Sequence, residues 1–448
     1  MNGPREGDAA SPGQRGPVFA LLAILVVSGA ALRIYGLDAQ SLWNDELSSW
    51  QQSHQPTLAA VIEKGVRPDP HPPGYQALLF YVERYVGESE RALRLPSVMA
   101  GVLSIVVAFL LGRQLYSERE GLIAAALFAF SYQPIYFSQE ARAYALLMLF
   151  AMVTSLFWFR IQAALSERRT PGTGESLGYA ISAACAMYLH YFGLLLVAIQ
   201  IAGLLVLSAT RSRNRTRMAA LAALLAVLYL PWFPYLIEDF AGTRSHIGEP
   251  DARALYGYWR FLFYDPGEHL LWFAAALFAI AVAKAASRRL PRSVPPAPSW
   301  WTSPTVLLLA WFALPVLFAF VRSQIAAPIF TNRNLIICLP PAFLLFSRAL
   351  TRTLADTRLL AVSVGAMVAV MLYGLFVSGG YYRYPRKDQF REAAAVVTAR
   401  EDEYPNARIV AHAWSEGKFD YYLERQGASS RVDLLAGSAL DVDRVRAY

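Results

Sequence analysis

The stretch PVFALLAILVVSGAALRIYG at residues 17–36 is followed within a few residues by SLWNDELSSW at 41–50, which carries two adjacent carboxylates, Asp45 and Glu46. One helical crossing of a bilayer core needs roughly 20 predominantly apolar residues, and residues 17–36 meet that length. No small-residue cleavage pattern follows the run, so it reads as a retained helix and not as a signal peptide. Applied outward, the same test finds about eleven windows, near 17–36, 93–111, 121–138, 141–163, 177–190, 192–209, 218–237, 269–284, 304–321, 333–348 and 359–378. At 56% hydrophobic and 13% aromatic over 448 residues, the chain is too apolar for an ordinary soluble domain. The expected fold is an α-helical polytopic membrane protein.

The formal net charge of +8 does not point to nucleic acid, because the arginines fall between apolar runs and form no continuous basic face with interleaved aromatics. Cys185 and Cys338 both lie within apolar runs and imply neither a disulfide framework nor a cysteine metal site. Basic residues instead mark every second loop: Arg113 and Arg119, Arg168 and Arg169, RSRNRTR at 211–217, KAASRRLPR at 284–292, then Arg348, Arg352 and Arg358. Lys and Arg near span ends prefer the cytoplasm. An eleven-span chain with a cytoplasmic tail at 1–16 satisfies all of these loops together. The membrane domain is then 17–378, with a long outer loop at 37–91, and residues 379–448 form a small extracytoplasmic α/β domain. In that domain RKDQFREAAAVVTARE reads as a helix, ARIVAHA as a strand and EGKFDYYLERQG as a second helix. In the outer loop, PHPPGYQALLFYVERYVG at 70–87 reads as an interfacial amphipathic helix.

This topology collects the unusual polar residues on one side of the membrane: Asp45, Glu46, His71, Glu140, Arg142, His190 and Arg333. Each has an ordinary reading of its own. Glu140 and Arg142 suit an ion pair closing a hairpin, His190 a hydrogen-bonded residue among Tyr188 and Tyr191, Asp69 and His71 a proline-stiffened turn, and Arg333 an anchor at a span mouth. Their concurrence carries more than any one of them. A carboxylate beside one or two arginines suits transfer from an anionic lipid phosphate, the carboxylate taking a proton from an acceptor hydroxyl and the cations holding the departing phosphate. A divalent ion beside the phosphate is chemically reasonable, and His71 with an acid has donor atoms to hold one, but no ligand spacing is diagnostic.

The ordered set WNDE, HPPGYQALLFYVERYVGESERALRLPS, FSQEARAYAL, YLHYFG and TNRNLIICLPP resembles bacterial glycosyltransferase family 39. These proteins are relatives of the protein O-mannosyltransferases and aminoarabinose transferases in the GT-C superfamily, and the resemblance covers roughly residues 15–425. It implies a multi-span enzyme of the bacterial inner membrane that takes a sugar from a polyprenyl phosphate carrier outside the cytoplasm, inverts the anomeric carbon and delivers it to a hydroxyl acceptor. Carried over residue by residue, it implies Asp45 as general base within the Asp45–Glu46 pair, and Glu140, Arg142 and Arg333 at the carrier or acceptor site, with His71 and His190 beside them. Arg333 lacks the tyrosine that follows it in the family pattern, since Asn334 comes next. The short outer loop at 238–268 leaves a protein acceptor no better favoured than a glycolipid or polysaccharide. A lipid flippase or solute transporter, and a noncatalytic envelope-assembly protein, stay open beside the enzyme. The transporter lacks support from repeated halves, and a scaffold would tolerate Asn at position 45.

Overall fold

In the computed structural model, residues 12–69, 71–209, 212–241, 247–263, 302–401, 403–404, 409–411, 417–428 and 432–434 are described. The helices, in chain order, are α1 (Pro12–Ile34), α2 (Asn44–Ser53), α3 (Gly74–Tyr85), α4 (Glu90–Leu115), α5 (Glu118–Phe130), α6 (Tyr132–Ser138), α7 (Tyr144–Ser166), α8 (Thr173–Leu189), α9 (Tyr191–Ser208) and α10 (Ser212–Tyr229). They continue with α11 (Phe233–Ala241), α12 (Ala252–Leu262), α13 (Pro304–Ile325), α14 (Leu339–Thr353), α15 (Thr357–Tyr373), α16 (Phe390–Arg400) and α17 (Asp420–Arg425). Strands β1 (Ile409–Ala411) and β2 (Val432–Leu434) pair in parallel, Ile409 opposite Val432. The chain divides into two compact units, one made of residues 1–35, 97–139 and 143–379, the other of 36–96, 140–142 and 380–448.

The first unit is helical and apolar. Among the described residues, eight helices are long and apolar enough to cross a membrane, or nine if the bent pair α5–α6 is one span. The expected windows account for the difference from eleven. Residues 177–190 form α8, which has 17 residues, and 269–284 lie outside the described residues. The 121–138 window is broken by a 56° bend, because Ser131 takes an extended conformation between α5 and α6. Pro134 stands in the first turn of α6, where its missing N–H is not needed. Outward residues such as Ile24, Val27, Leu103, Val206 and Leu317 are apolar and exposed, as lipid-facing surfaces require. Gly112 and Gly121 let α4 and α5 close up, since a Cβ on Gly112 would fall 2.7 Å from the Gly121 backbone.

Two cations, the buried Arg33 and the partly buried Arg348, organise this unit. Arg33 donates to the carbonyls of Gly29 (2.9 Å), Phe128 (2.6 Å) and Ala129 (3.3 Å) and to Ser138 Oγ (3.0 Å). The Phe128 and Ala129 carbonyls belong to the last turn of α5, where helix geometry leaves oxygens without partners and a cation is favoured. Arg348 of α14 reaches Glu120 of α5 at 2.6 Å, and Thr351 adds a hydrogen bond to the same oxygen.

The second unit is built on α2 and α3 and on the segment after Gly380. Residues 70–87, expected as an interfacial helix, supply α3, whose buried side includes Tyr75, Leu79, Phe80 and Val82 and whose Tyr81 and Tyr85 are exposed. The segment after Gly380 is stitched to the 37–91 loop by hydrogen bonds. Ser41 Oγ donates to the Asp388 carbonyl (2.7 Å), Arg391 to the carbonyls of Asp38 and Ala39 (3.0 Å each), and Tyr421 Oη to the Glu88 carbonyl (2.7 Å). A single turn of π-helix at Val61–Val66 runs so close to α2 that a Cβ on Gly65 would lie 2.1 Å from the Gln52 carbonyl, so only glycine fits there.

Candidate active site

The two carboxylates that open α2 lie one residue apart and have opposite surroundings, because successive helix positions point about 100° apart. Glu46 turns inward and is fully buried. Arg94 grips it with two nitrogens at 2.8 Å each, Lys387 Nζ lies at 3.1 Å, and the Ala141 N–H donates at 2.8 Å. Burial works against ionisation of Glu46, but the Arg94 and Lys387 charges outweigh it and hold the carboxyl down to about 2. Arg94 also donates to the carbonyls of Leu37 (2.6 Å), Gln40 (2.9 Å) and Ser41 (3.0 Å), so it gathers the loop ahead of α2 onto the same point. Glu46, expected as a partner of Asp45 in catalysis, is therefore the centre of a buried charge cluster in which Arg94, Lys387 and the Ala141 N–H occupy its oxygens.

Asp45 lies on the other side of α2 and is only partly buried, with Asn44 Nδ2 at 3.4 Å from its Oδ1. Positions 45, 48, 49 and 52 follow the i, i+3, i+4, i+7 spacing of one helix face, and here they are Asp, Ser, Ser and Gln. Three separate segments contribute side chains to this polar stripe. Arg142 Nη1 donates to Ser49 Oγ (3.2 Å) and approaches the Asp45 carbonyl (3.5 Å). Lys418, from just ahead of α17, donates to Ser48 Oγ and to Gln51 Oε1 (3.0 Å). Gln52 Nε2 donates to Asp69 Oδ2 (2.7 Å), and Asp69 Oδ1 meets His71 Nδ1 (3.0 Å) in the proline-rich turn. Gln76 of α3 braces Gln52 at 2.8 Å.

The charges on this face are coupled. Burial would raise the Asp69 carboxyl, yet His71, Arg142 and Gln52 together keep it well below the usual carboxylate range. Burial lowers the Lys418 ammonium to about 8, while Asp45 pulls in the opposite direction. The stripe thus presents an accessible carboxylate with a guanidinium and an ammonium beside it, an arrangement able to take a proton at one point and hold an anion at another.

Of the residues expected from sequence, this unit contains Asp45, Glu46, His71, Glu140 and Arg142, with Glu140 fully buried. His190 and Arg333 belong to the other unit. There His190 caps α9, its Nδ1 accepting the Phe192 N–H at 3.2 Å, and Arg333 is exposed ahead of the short 3-10 turn Asn334–Cys338. Sequence reasoning passed over Ser48, Ser49, Gln52, Arg94, Lys387 and Lys418. The helical spacing of the first three was a usable signal, whereas the three cations come from distant segments with no motif of their own.

Comparison with known proteins agrees with the family resemblance. Residues 70–235 match the family model for dolichyl-phosphate-mannose-protein mannosyltransferases, a stretch that includes His71, Glu140, Arg142 and His190 and leaves out Asp45. The undecaprenyl phosphate-α-4-amino-4-deoxy-L-arabinose arabinosyl transferase of Pseudomonas paraeruginosa is 29% identical over 328 residues, covering 68% of this chain. The chain spans about half the length, 54%, of that curated relative. Among solved structures, ArnT from Cupriavidus metallidurans in the apo state superposes with a TM-score of 0.59 at 13% identity, covering 95% of this chain and 87% of the other. The same protein bound to undecaprenyl phosphate gives 0.54 at 15% identity, with 95% and 86% covered. The archaeal oligosaccharyltransferase AglB from Archaeoglobus fulgidus, in complex with an inhibitory peptide and a dolichol-phosphate, gives 0.55 at 14% identity, with 96% and 65% covered. The fold is shared with these solved membrane proteins.

Proposed function

We propose that this chain is an integral-membrane glycosyltransferase that moves a sugar from a polyprenyl phosphate carrier to a hydroxyl acceptor at the extracytoplasmic face of a bacterial inner membrane. The observation that carries the proposal is the contrast within the acidic pair. Glu46 is sealed by Arg94 and Lys387, while Asp45 stands on a polar face with Arg142 and Lys418. The carrier and the reaction class are supported by the mannosyltransferase family model and by the arabinosyl transferase relative, whose donor is an undecaprenyl phosphate sugar. The alternating basic loops support a cytoplasmic N-terminus and an outward-facing second unit.

In this reading the acceptor O–H gives its proton to Asp45 as its oxygen attacks the anomeric carbon. The bond from that carbon to the phosphate oxygen breaks in the same displacement, and the electron pair leaves with the polyprenyl phosphate. Such a displacement inverts the anomeric centre and requires one base, unlike the paired carboxylates of retaining glycosidases. Arg142 and Lys418 hold the phosphate as its charge grows. Asp69 and His71 fix the stripe through Gln52. Glu46, with Arg94, positions the first turn of α2 and so aims Asp45.

The test is transfer by lipid-reconstituted protein with a panel of radiolabelled polyprenyl phosphate sugars and cell-envelope acceptors. Asp45→Asn is expected to lose about 10²–10⁴-fold in rate with its unfolding temperature unchanged. Transfer by Asp45→Asn at the wild-type rate would remove it as the base.

A further inference from the structure

The far end of α2 carries a second cluster that the glycosyltransferase reading leaves unused. His54 caps the helix, Glu83 projects from the end of α3, and Glu88 lies in the turn ahead of α4. His54 Nδ1 stands 3.0 Å from Glu83 Oε2 and 3.6 Å from Glu88 Oε1, and one donor atom from each of the three residues lies within 4.8 Å of the other two. We propose that His54, Glu83 and Glu88 form a binding site for a divalent transition metal, zinc by the chemistry of the donors, which clasps α2 to α3 and to the turn before α4.

Three observations carry the assignment. The first is size. Zinc holds nitrogen and oxygen donors at about 2.0–2.2 Å, so neighbouring donors at the corners of a tetrahedron are about 3.4 Å apart, between the two distances observed. The second is the fixed aim of the donors. The Glu83 side chain is only 2% exposed, and its other oxygen accepts the Ser53 hydroxyl, which leaves Oε2 pointing at His54. The His54 ring stacks on Trp50 at 4.9 Å with a 29° interplanar angle, and Arg425 Nη2 holds the second oxygen of Glu88 at 2.6 Å. Supporting contacts of this kind orient the ligands in metal sites. The third is charge. Among the described residues no Lys or Arg lies within ion-pair distance of the buried Glu83, so a bound cation would meet no competing side-chain charge there. An imidazole with two carboxylates suits zinc better than calcium or magnesium, which prefer all-oxygen shells. His54 is 47% exposed, so solvent can supply the fourth ligand.

The clasp is separate from the stripe around Asp45 and stands whether or not the chain transfers sugar. Full-length protein in detergent, stripped with a chelator, would be titrated with Zn²⁺ against a chromophoric competitor and the bound metal counted by elemental analysis. The expected result is one zinc per chain and a higher unfolding temperature. His54→Gln and Glu83→Gln should each weaken binding about tenfold or more and abolish the thermal shift, while His71→Ala should bind as wild type does. His54→Gln changes a half-exposed ring, so it remains decisive if Glu83→Gln does not fold. Failure of the wild type to bind zinc, unchanged binding in His54→Gln, or loss of binding in His71→Ala would each overturn the proposal.

Discussion

The two units bury positive charge in different ways. In the membrane-spanning unit the Arg33 guanidinium donates to the Gly29, Phe128 and Ala129 carbonyls and to the Ser138 hydroxyl. In the other unit Arg94 and Lys387 converge on one carboxylate, Glu46, and a few residues along the same helix Lys418 is buried against the neutral acceptors Ser48 and Gln51. Closed clusters such as those of Arg33 and Glu46 hold segments together. A buried ammonium among neutral groups beside an accessible carboxylate retains the capacity to meet an anion, and that difference separates the structural charges from those assigned to chemistry.

Breaking the closed cluster should have the largest effect on stability. Glu46→Gln leaves Arg94 and Lys387 buried with no carboxylate between them, and a loss of about 3–5 kcal/mol is expected in unfolding measurements. The acid profile sharpens the point. The folded-state carboxyl of Glu46 lies at about 2 against an ordinary 4.5, so its contribution is complete above the ordinary value and disappears as pH falls from about 4.5 toward 2. The Glu46→Gln protein should show a weaker pH dependence in that window than wild type.

Arg33→Met tests the carbonyl contacts and should cost less, about 1–3 kcal/mol, because the carbonyls left behind are neutral. A loss as large as that of Glu46→Gln would show that the contrast between the units is not one of charge compensation.

The smallest expected effect is on Lys418, and it concerns binding. Lys418→Met should raise the donor KM about tenfold with little change in kcat. For wild type the donor KM should rise as pH passes about 8 and Lys418 loses its proton, whereas Lys418→Arg should stay flat there. Stability should move the other way. Between about 8 and the ordinary 10.5 the unfolded chain binds the additional proton, so the fold gains stability with pH while the donor site weakens. A donor KM independent of pH in wild type would remove Lys418 from the anion site.

The membrane architecture was legible in the sequence because each spanning helix must satisfy the bilayer by itself, and length and hydropathy are local properties. The same local logic located the acidic pair, α3, α16, β1 and α17. The 56° break at Ser131 was missed, because the window passes the length and hydropathy test as a whole although SYQP at 131–134 interrupts it. Which of two neighbouring carboxylates faces the polar stripe was not legible either. Composition treats Asp45 and Glu46 alike, and their separation depends on where Arg94 and Lys387, 48 and 341 residues away in sequence, arrive. Lys418 had no signal at all, being one lysine in a polar segment until folding brings it to Ser48, 370 residues distant. The sequence by itself determined that this chain lives in a membrane and which residue types were available for chemistry. Their division into a buried charge cluster around Glu46 and a polar face around Asp45 was decided only by tertiary structure, because burial and charge coupling depend on neighbours far apart along the chain.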